Sequence, residues 1–316
     1  MAGPSVRPAP ADRRLPSARR TDGKPARRWR LAGLFSAVAI VAAAALVTAV
    51  FHSGTPGSDS PAATSGDRSI ASEAAIRSQA VNWITSQVGH NIVVACDAVV
   101  CSALAQQGFP AGNLNVLQPT APDPYGSELL VATADVRSQF GTKLASVYAP
   151  ESIASFGTGA NRIDVQVIAQ NGPAAFRTAL RKDLLARRSS GAELLRNSRI
   201  AIAPAARSQL AAGDVDLRLE TALAFLATQQ PLDILGFGTS APGAGAGVPQ
   251  RFVYLAETDP ASRLPAGRYL QSLVAGAKGL RPPYVPMSAE AVRLPNGHLA
   301  LRIEFPAPSL LGLLSY

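Results

Sequence analysis

An uncharged apolar segment near the N-terminus is the strongest constraint on how this chain folds. Residues 31–51, LAGLFSAVAIVAAAALVTAVF, contain no charged side chain. A helix of that length rises about 30 Å, close to the thickness of the hydrocarbon core of a bilayer. A cleaved signal peptide is the alternative, although its apolar core normally spans only about 7–15 residues. We expect an uncleaved transmembrane helix.

The basic charge of the chain is concentrated before this segment. The formal net charge is +9, and residues 1–30 hold nine basic and two acidic side chains, which leaves +2 for the rest. The body therefore offers no broadly basic surface for nucleic acid. Between residues 52 and 71 the only basic residue is Arg68. This asymmetry predicts a single-pass plasma-membrane protein with a cytoplasmic N-terminus and an extracytoplasmic body.

Composition divides the chain into segments of different character. Residues 1–30 are rich in Pro, Arg and Ala, and residues 52–67, HSGTPGSDSPAATSGD, are rich in Gly, Ser, Pro and Thr. Such segments cannot bury enough apolar surface to fold. The remaining length is sufficient for two subdomains. We therefore predict a disordered basic cytoplasmic arm (1–30), a transmembrane helix (31–51), a flexible stalk (52–67) and two α/β subdomains (68–190 and 191–316).

The apolar pattern of the body alternates between strand-like and helix-like segments, which is typical of a mostly parallel or mixed sheet covered by helices. Asn296-Gly297 lies between alternating apolar residues and predicts a C-terminal β-hairpin. We predict strands at 91–95, 114–117, 128–133, 152–156, 162–169, 199–203, 232–237 and 251–257, and helices at 69–88, 97–107, 134–147, 173–188, 204–212, 214–229 and 264–278.

Cys96 and Cys101 are the only two cysteines of the chain. In an extracytoplasmic protein an even cysteine count favours a disulfide. Cys96 ends a predicted strand and Cys101 lies about one turn into the next helix, so the separation of their α-carbons suits a bridge. Unpaired thiols and a redox centre are the alternatives, but the spacing differs from the C-x-x-C of thioredoxin-like sites.

Two pairs of residues are candidates for ligand binding. Asp97 follows one predicted strand and Thr133 ends another, and α/β sheets bind ligands at the carboxyl ends of their strands. Gly236 and Gly238 begin a glycine-rich loop, GFGTSAPGAGAG, that could contact a ligand. A phosphate-binding loop of the dinucleotide type needs a helix next, whereas a strand is predicted here. An inter-strand loop is therefore the favoured interpretation.

Other patterns do not assign chemistry. The three histidines are isolated, and neither H-E-x-x-H nor G-x-S-x-G occurs, so we predict no metal site, no cofactor and no catalytic residue. Asp214-Val215-Asp216 begins a predicted helix, where capping is favoured over metal binding. The predicted helix at 173–188 is basic, and its cations indicate either a solvated face or attraction to an anionic polymer or headgroup. These cations are Arg177, Arg181, Lys182, Arg187 and Arg188.

Residues 78–170 resemble the soluble extracytoplasmic domain of some bacterial multi-pass glycosyltransferases that use polyprenyl-phosphate sugars. The segments that carry the resemblance are AVNWITSQV, NIVVACDAVVCSALAQQGFP, LLVATADVR and ESIASFGTGANRIDVQVI. That family often carries an acidic residue before the aspartate, where this chain has Cys96. The family catalyses with membrane-embedded loops, which a chain with one apolar segment lacks. The resemblance implies an accessory module of envelope glycan assembly.

These features together predict a non-catalytic binding module, anchored in the bilayer, whose partner is an envelope glycan or a membrane protein. An envelope enzyme that uses carboxylates, such as Asp97, Asp123 or Asp164, is the alternative. An assembly protein of a neighbouring membrane complex is a third interpretation. Two carboxylates that converge in one pocket would favour the enzyme.

Overall fold

Two mixed β-sheets of five strands each form the framework of the protein. The computed structural model describes residues 65–245, 247–257 and 264–309, with the side chains described from residue 71 onward. Both sheets belong to one compact unit. The predicted cytoplasmic arm and transmembrane helix lie outside the described residues. Among the described residues, no helix is long and apolar enough to cross a bilayer.

The first sheet has the strand order β2-β1-β3-β5-β4. β1 is parallel to β2 and to β3, whereas β5 is antiparallel to both β3 and β4. The sheet is therefore mixed, which is one of the two predicted arrangements. The helix that precedes it starts at Ser65, so it includes the last three residues of the predicted stalk. The elements are α1 (Ser65–Gln87), β1 (Val94–Cys96), α2 (Ala98–Gln106), β2 (Leu114–Val116), β3 (Leu129–Ala132), α3 (Ala134–Phe140), β4 (Glu151–Phe156) and β5 (Ile163–Val167).

The second sheet has the strand order β6-β7-β8-β10-β9, and only β6 and β7 are parallel. The predicted hairpin at Asn296-Gly297 joins β9 to β10, and Gly297 has φ +85°, which glycine adopts without strain. The elements are α4 (Gly172–Arg196), β6 (Ile200–Ile202), α5 (Pro204–Ala212), α6 (Leu217–Gln229), β7 (Leu232–Gly238), β8 (Phe252–Ala256), α7 (Ala266–Lys278), β9 (Ser288–Arg293) and β10 (Leu299–Glu304).

The two sheets share a β-α-β-β unit. In the first sheet, β3 is followed by α3 and by the antiparallel pair β4–β5, and β5 lies between β3 and β4. In the second sheet, β8, α7, β9 and β10 follow the same order, and β10 lies between β8 and β9. The central strand is antiparallel to both neighbours in each case. The two halves are thus topologically related over this unit.

Burial differs between the two sheets. The first sheet buries apolar side chains on both faces, as Val131 and Leu130 illustrate by entering different clusters. The second sheet packs one face against its helices through residues such as Val253 and Leu255. Its other face carries the alternate residues Phe252 and Tyr254, which are only half-buried. The second sheet therefore has one face covered by helices and a second face that is only partly covered, with Ala300 and Glu304 buried on it; we call this second face the open face.

Helix α4 is longer than predicted and lies between the two halves. It runs to Arg196, eight residues beyond the predicted end, so the predicted boundary at 190/191 falls inside a helix. Its C-terminal half packs on α5 and α6 of the second half. A Cβ atom at Gly191 would lie 2.5 Å from the Leu210 carbonyl oxygen. The close approach of α4 and α5 thus requires glycine there.

A carboxyl group is buried where α4 meets α6. Glu220 is 0% exposed, and neither of its carboxyl oxygens accepts a hydrogen bond of good geometry. Burial raises the pKa of Glu220 to about 9, and the nearby Ser190 hydroxyl and Arg187 charge offset only part of this effect. The group is therefore protonated at neutral pH, because an ionised carboxylate without partners would be far more costly to bury.

We expect Glu220→Gln to stabilise the protein at alkaline pH. The folded protein keeps the Glu220 proton above the unfolded pKa of 4.5, so its contribution to stability is fully present below that pH and is lost as pH rises towards about 9. The amide cannot ionise and removes this loss. At pH 8 the variant should be more stable by several kcal/mol in urea unfolding, because each pH unit above the unfolded pKa adds to the loss, with little difference at pH 5. An equal change at both pH values would contradict the assignment.

Candidate binding cleft between the two sheets

The structure brings the predicted residues Asp97 and Thr133 together at the carboxyl ends of β1 and β3. One carboxylate oxygen of Asp97 accepts a hydrogen bond from the Val100 amide at 2.9 Å, so Asp97 caps α2 as predicted. The Thr133 hydroxyl donates to the other oxygen at 2.6 Å. Both oxygens of Asp97 therefore have partners within the protein. Binding of a ligand at this position stays a prediction.

Cys96 and Cys101 form the predicted disulfide, with their α-carbons 5.5 Å apart. Both residues lie in the core of the first half. Because these are the only cysteines of the chain, no free thiol remains for redox or nucleophilic chemistry. The bridge fastens the end of β1 to the first turn of α2, next to the Asp97 cap.

Gly236 and Gly238 lie on the open face of the second sheet, opposite Tyr254 and Phe252 respectively. A Cβ atom at Gly238 would lie 2.3 Å from the Phe252 ring, whereas one at Gly236 would meet no atom within 4 Å. Arg302 also covers the Phe252 ring, with its guanidinium 4.5 Å from the centroid. The close packing of Phe252 thus explains why position 238 is a glycine. Ligand binding by the two glycines stays a prediction.

The glycine-rich loop that follows β7 reaches across to the first half. The indole nitrogen of Trp83 donates to the Ser240 carbonyl at 2.5 Å, and the Ser155 amide donates to the Pro242 carbonyl at 2.7 Å. Ala241 and Val248 pack against the core of the first half. The interpretation as a simple inter-strand loop is therefore incomplete, because the loop also joins the two halves.

This loop and strand β4 enclose a polar cleft with a volume of about 500 Å³. The first half supplies Glu151, Ser152, Ser155, Thr158 and Arg162, and the second half supplies backbone at Gly243 and Gly245. The cleft thus presents hydroxyl groups, one carboxylate and one guanidinium, so it can both donate and accept hydrogen bonds. Its volume lies within the range of ligand sites.

Glu151 also lines a small, mainly apolar cavity of about 40 Å³ beside the cleft, which we call the neck. Asp183 and Arg187 of α4 line the same neck and form an ion pair at 2.8 Å, with each side chain 7% exposed. Burial raises the pKa of Glu151; Arg187 lowers it and Asp183 raises it. Burial likewise raises the pKa of Asp183 more than Arg187 lowers it. Two carboxyl groups thus share one pocket.

A second apolar groove, of about 250 Å³, adjoins this neck. The two spaces share Val167, Phe176, Pro308 and Ser309 as lining residues. The groove also reaches Glu128 and Gln170 at its rim. Polar cleft, neck and apolar groove therefore adjoin one another along the junction of the two halves.

A buried pair of charged side chains fixes the C-terminal segment that lines the neck. Asp216 and Arg218 pair at 2.7 Å, and Arg218 also donates to the Pro306 carbonyl at 2.8 Å. Ser309 donates to Asp216 at 2.7 Å. Burial alone would raise the pKa of Asp216, but the Arg218 charge and these hydrogen bonds hold that pKa below its ordinary value. Residues 306–309 are thereby fixed against α6.

Arg251 forms a second buried link between the halves. Its guanidinium donates to the Phe305 carbonyl at 2.8 Å and to the side-chain oxygen of Gln87 at 3.1 Å. Burial lowers the pKa of Arg251 to about 10, so it remains charged at neutral pH. The end of α1 is therefore tied to the end of β10 through one side chain.

The other two carboxylates that the sequence offers for catalysis, Asp123 and Asp164, form hydrogen bonds within the fold. Asp164 accepts from Arg162 at 2.8 Å and from the Ser155 hydroxyl at 2.5 Å, and Asp123 accepts from the Tyr125 amide at 3.0 Å. In the Asp-Val-Asp tripeptide the cap is Asp216 rather than Asp214. No group of three or more His, Cys, Asp or Glu side chains in the described residues is arranged to hold a metal ion.

Sequence reasoning missed the residues at the centre of the site. The sequence predicts either a solvated or an anion-attracting position for Arg187, but the structure buries it in an ion pair with Asp183, four residues earlier on the same helix. That i, i+4 spacing of opposite charges was a readable signal. Glu151 carried no such signal, since its position depends on how β4 meets α4.

Comparison of the chain with protein-family models, with curated proteins and with solved structures finds no match.

We expect Gly238→Ala to destabilise the fold and Gly236→Ala to leave it unchanged. The added methyl group at position 238 overlaps the Phe252 ring, and overpacking of this kind costs about 1–3 kcal/mol. The free space at position 236 should keep the change within about 0.5 kcal/mol. Urea unfolding of both variants measures the difference. Equal losses would mean that Phe252 does not account for the glycine at 238.

Proposed function

We propose that this chain is a membrane-anchored, extracytoplasmic binding module that acts as an accessory in cell-envelope glycan assembly. The polar cleft formed by β4 and the glycine-rich loop is the observation that carries the proposal. Three hydroxyl groups, Glu151 and Arg162 line a space of about 500 Å³. A glycan offers many hydroxyl and amide groups that need both donors and acceptors.

The glycines of the cleft suit a ligand that approaches the backbone closely. A side chain built at Gly159 or Gly245 would meet no neighbouring atom within 4 Å, so the space beside both residues is open. Glycine permits close contact between backbone and ligand. The resemblance of residues 78–170 to an extracytoplasmic glycosyltransferase domain points to the same class of ligand.

The three carboxylates that the sequence offers for catalysis already form contacts within the fold, which favours binding over catalysis. Asp97 caps a helix, Asp164 is paired with Arg162, and Asp123 stabilises a turn. A general acid or base must instead be available to a substrate. The disulfide at Cys96–Cys101 agrees with an oxidising compartment, and the apolar segment at 31–51 supplies the anchor in this proposal.

One observation favours a carboxylate-based envelope enzyme as the second candidate. Glu151 and Asp183 line one pocket, and each has a raised pKa. Carboxyl groups with shifted pKa values are common at catalytic sites. Asp183 is already paired with Arg187, which leaves Glu151 as the one available acid of that pocket. A binding module would release a bound glycan intact, whereas the enzyme would release it cleaved.

We expect Gly245→Leu to abolish glycan binding by filling the cleft. Full-length protein in detergent is immobilised and exposed to soluble glycan fragments released from cell envelopes by muramidase. Wild type should retain fragments, and the variant should retain at least about tenfold less, equivalent to about 1.4 kcal/mol. Gly112→Leu is the matched control, since position 112 is also open and lies outside the cleft.

The outcome of this experiment separates the candidates. Recovery of retained fragments at their original length supports a binding module, whereas shortened fragments support the enzyme. Retention that is equal in wild type and Gly245→Leu would exclude the cleft as the site. No retention by wild type would refute the glycan proposal.

We expect the C-terminus to lie outside the cytoplasm. A periplasmic-type phosphatase reporter, which needs disulfides to be active, should be active when fused after Tyr316, and a cytoplasmic reporter at the same position should be inactive. The opposite pattern would refute the anchored, extracytoplasmic arrangement. Fusion before residue 31 is the control and should give the reverse result.

A further inference from the structure

We propose that the solvent-facing side of α4 docks on the surface of an anionic phospholipid bilayer. The surface consists of the exposed arginines Arg177, Arg181 and Arg188 together with Leu185, and we call it the arginine face. This inference does not depend on glycan binding in the cleft. It concerns how the folded body is positioned on a membrane.

The three arginines form one stripe along the helix. They are four and seven residues apart, which places them within about 40° of one another around the axis at 3.6 residues per turn. The stripe extends about 16 Å along the helix at 1.5 Å per residue. Arg188 Nε donates to the Ala212 carbonyl at 3.0 Å and Arg181 donates to the Thr178 hydroxyl at 3.0 Å. These contacts restrain the side chains and leave further guanidinium N–H groups available.

The stripe carries positive charge that α4 does not neutralise. Among the described residues, none of its three guanidinium groups forms a salt bridge. Helix α4 has two acidic residues, Asp183 and Glu193. Asp183 is paired with Arg187 on the buried side. Glu193 is twelve residues from Arg181, which places it about 120° from that arginine around the axis.

Leu185 distinguishes a bilayer from a soluble polyanion. It is 64% exposed, the largest exposure among the large apolar side chains of the described residues, and it lies one turn from Arg181. Arginine binds phosphate through paired N–H groups. An apolar side chain beside such cations gains by entering the acyl boundary of a membrane. A phosphate polymer in water would offer Leu185 no such gain.

The test places a probe on the arginine face and keeps Leu185. Ala174→Cys, at an exposed position one turn before Arg177, supplies a single free thiol, because Cys96 and Cys101 are joined. The full-length protein, labelled there with an environment-sensitive fluorophore, is reconstituted into vesicles that carry a nitroxide-bearing lipid as quencher. One set contains phosphatidylglycerol in phosphatidylcholine, and the other contains phosphatidylcholine alone.

We expect quenching in the anionic vesicles and little in the neutral ones. Raising the ionic strength from about 0.1 M to about 1 M shortens the screening length from about 10 Å to about 3 Å and should reduce the quenching. The variant R177Q/R181Q/R188Q should lose it, down to the level of neutral vesicles. The variant R177K/R181K/R188K keeps the charge and should retain most of it, since each basic residue contributes attraction to an anionic surface.

A matched charge change elsewhere is the control. The variant R268Q/K278Q/R281Q removes three exposed cations at and after α7 and should quench like the parent, and thermal unfolding should confirm that every variant is folded. Quenching that is equal in both vesicle types, that survives in R177Q/R181Q/R188Q, or that never occurs would overturn the proposal. A fluorophore response to soluble polyglycerol phosphate with no response to anionic vesicles would also overturn it.

Discussion

The buried pair Asp216–Arg218 is the interaction on which the junction of the two halves depends. Two charges removed from water are stable only when nearly every donor and acceptor has a partner. Here the guanidinium reaches the Pro306 carbonyl as well as Asp216, and Ser309 completes the carboxylate. The segment that they fix supplies one wall of both the neck and the apolar groove. The ion pair thus fixes one wall of the neck and of the apolar groove, although it does not line the polar cleft itself.

Main-chain contacts extend this arrangement into the first half. The Ala307 amide donates to the Gln87 carbonyl at 2.6 Å, and the Gly89 amide donates to the Ala307 carbonyl at 3.0 Å. Ala307 itself packs in the core of the first half. The C-terminal segment therefore satisfies backbone groups at the end of α1 that would otherwise lack partners. The two halves share core and hydrogen bonds at the same place.

Local features of the fold were readable from the sequence. Asp97 at a strand end predicted a helix cap, Asn296-Gly297 predicted a hairpin, and the cysteine spacing predicted a bridge, because each depends on a few neighbouring residues. The pairing of strands was not readable. The position of β5 between β3 and β4 depends on contacts between residues distant in sequence. Apolar periodicity does not determine such contacts.

The same limit applies to the site. Asp97 and Thr133 were predicted to lie near a ligand crevice at the carboxyl ends of the strands. In the structure they hydrogen-bond to each other, because both follow parallel strands of one sheet. The cleft combines Arg162 of the first half with Gly245 of the second, and no local pattern links these two positions. Glu220 illustrates the difficulty further. As an acidic residue in a helix it suggests a solvated position, yet close helix packing near Gly191 buries it completely.

The continuity of α4 has a mechanical consequence. It is an unbroken rod of 25 residues, with Phe176 and Leu180 in the wall of the neck and Arg177 and Arg181 on its outer side. A helix moves as a stiff body over such lengths, so a molecule that wedges against the inner side also displaces the outer side. A displacement of the inner side of α4 is therefore shared by its outer side, and a probe attached to either side would report the same displacement.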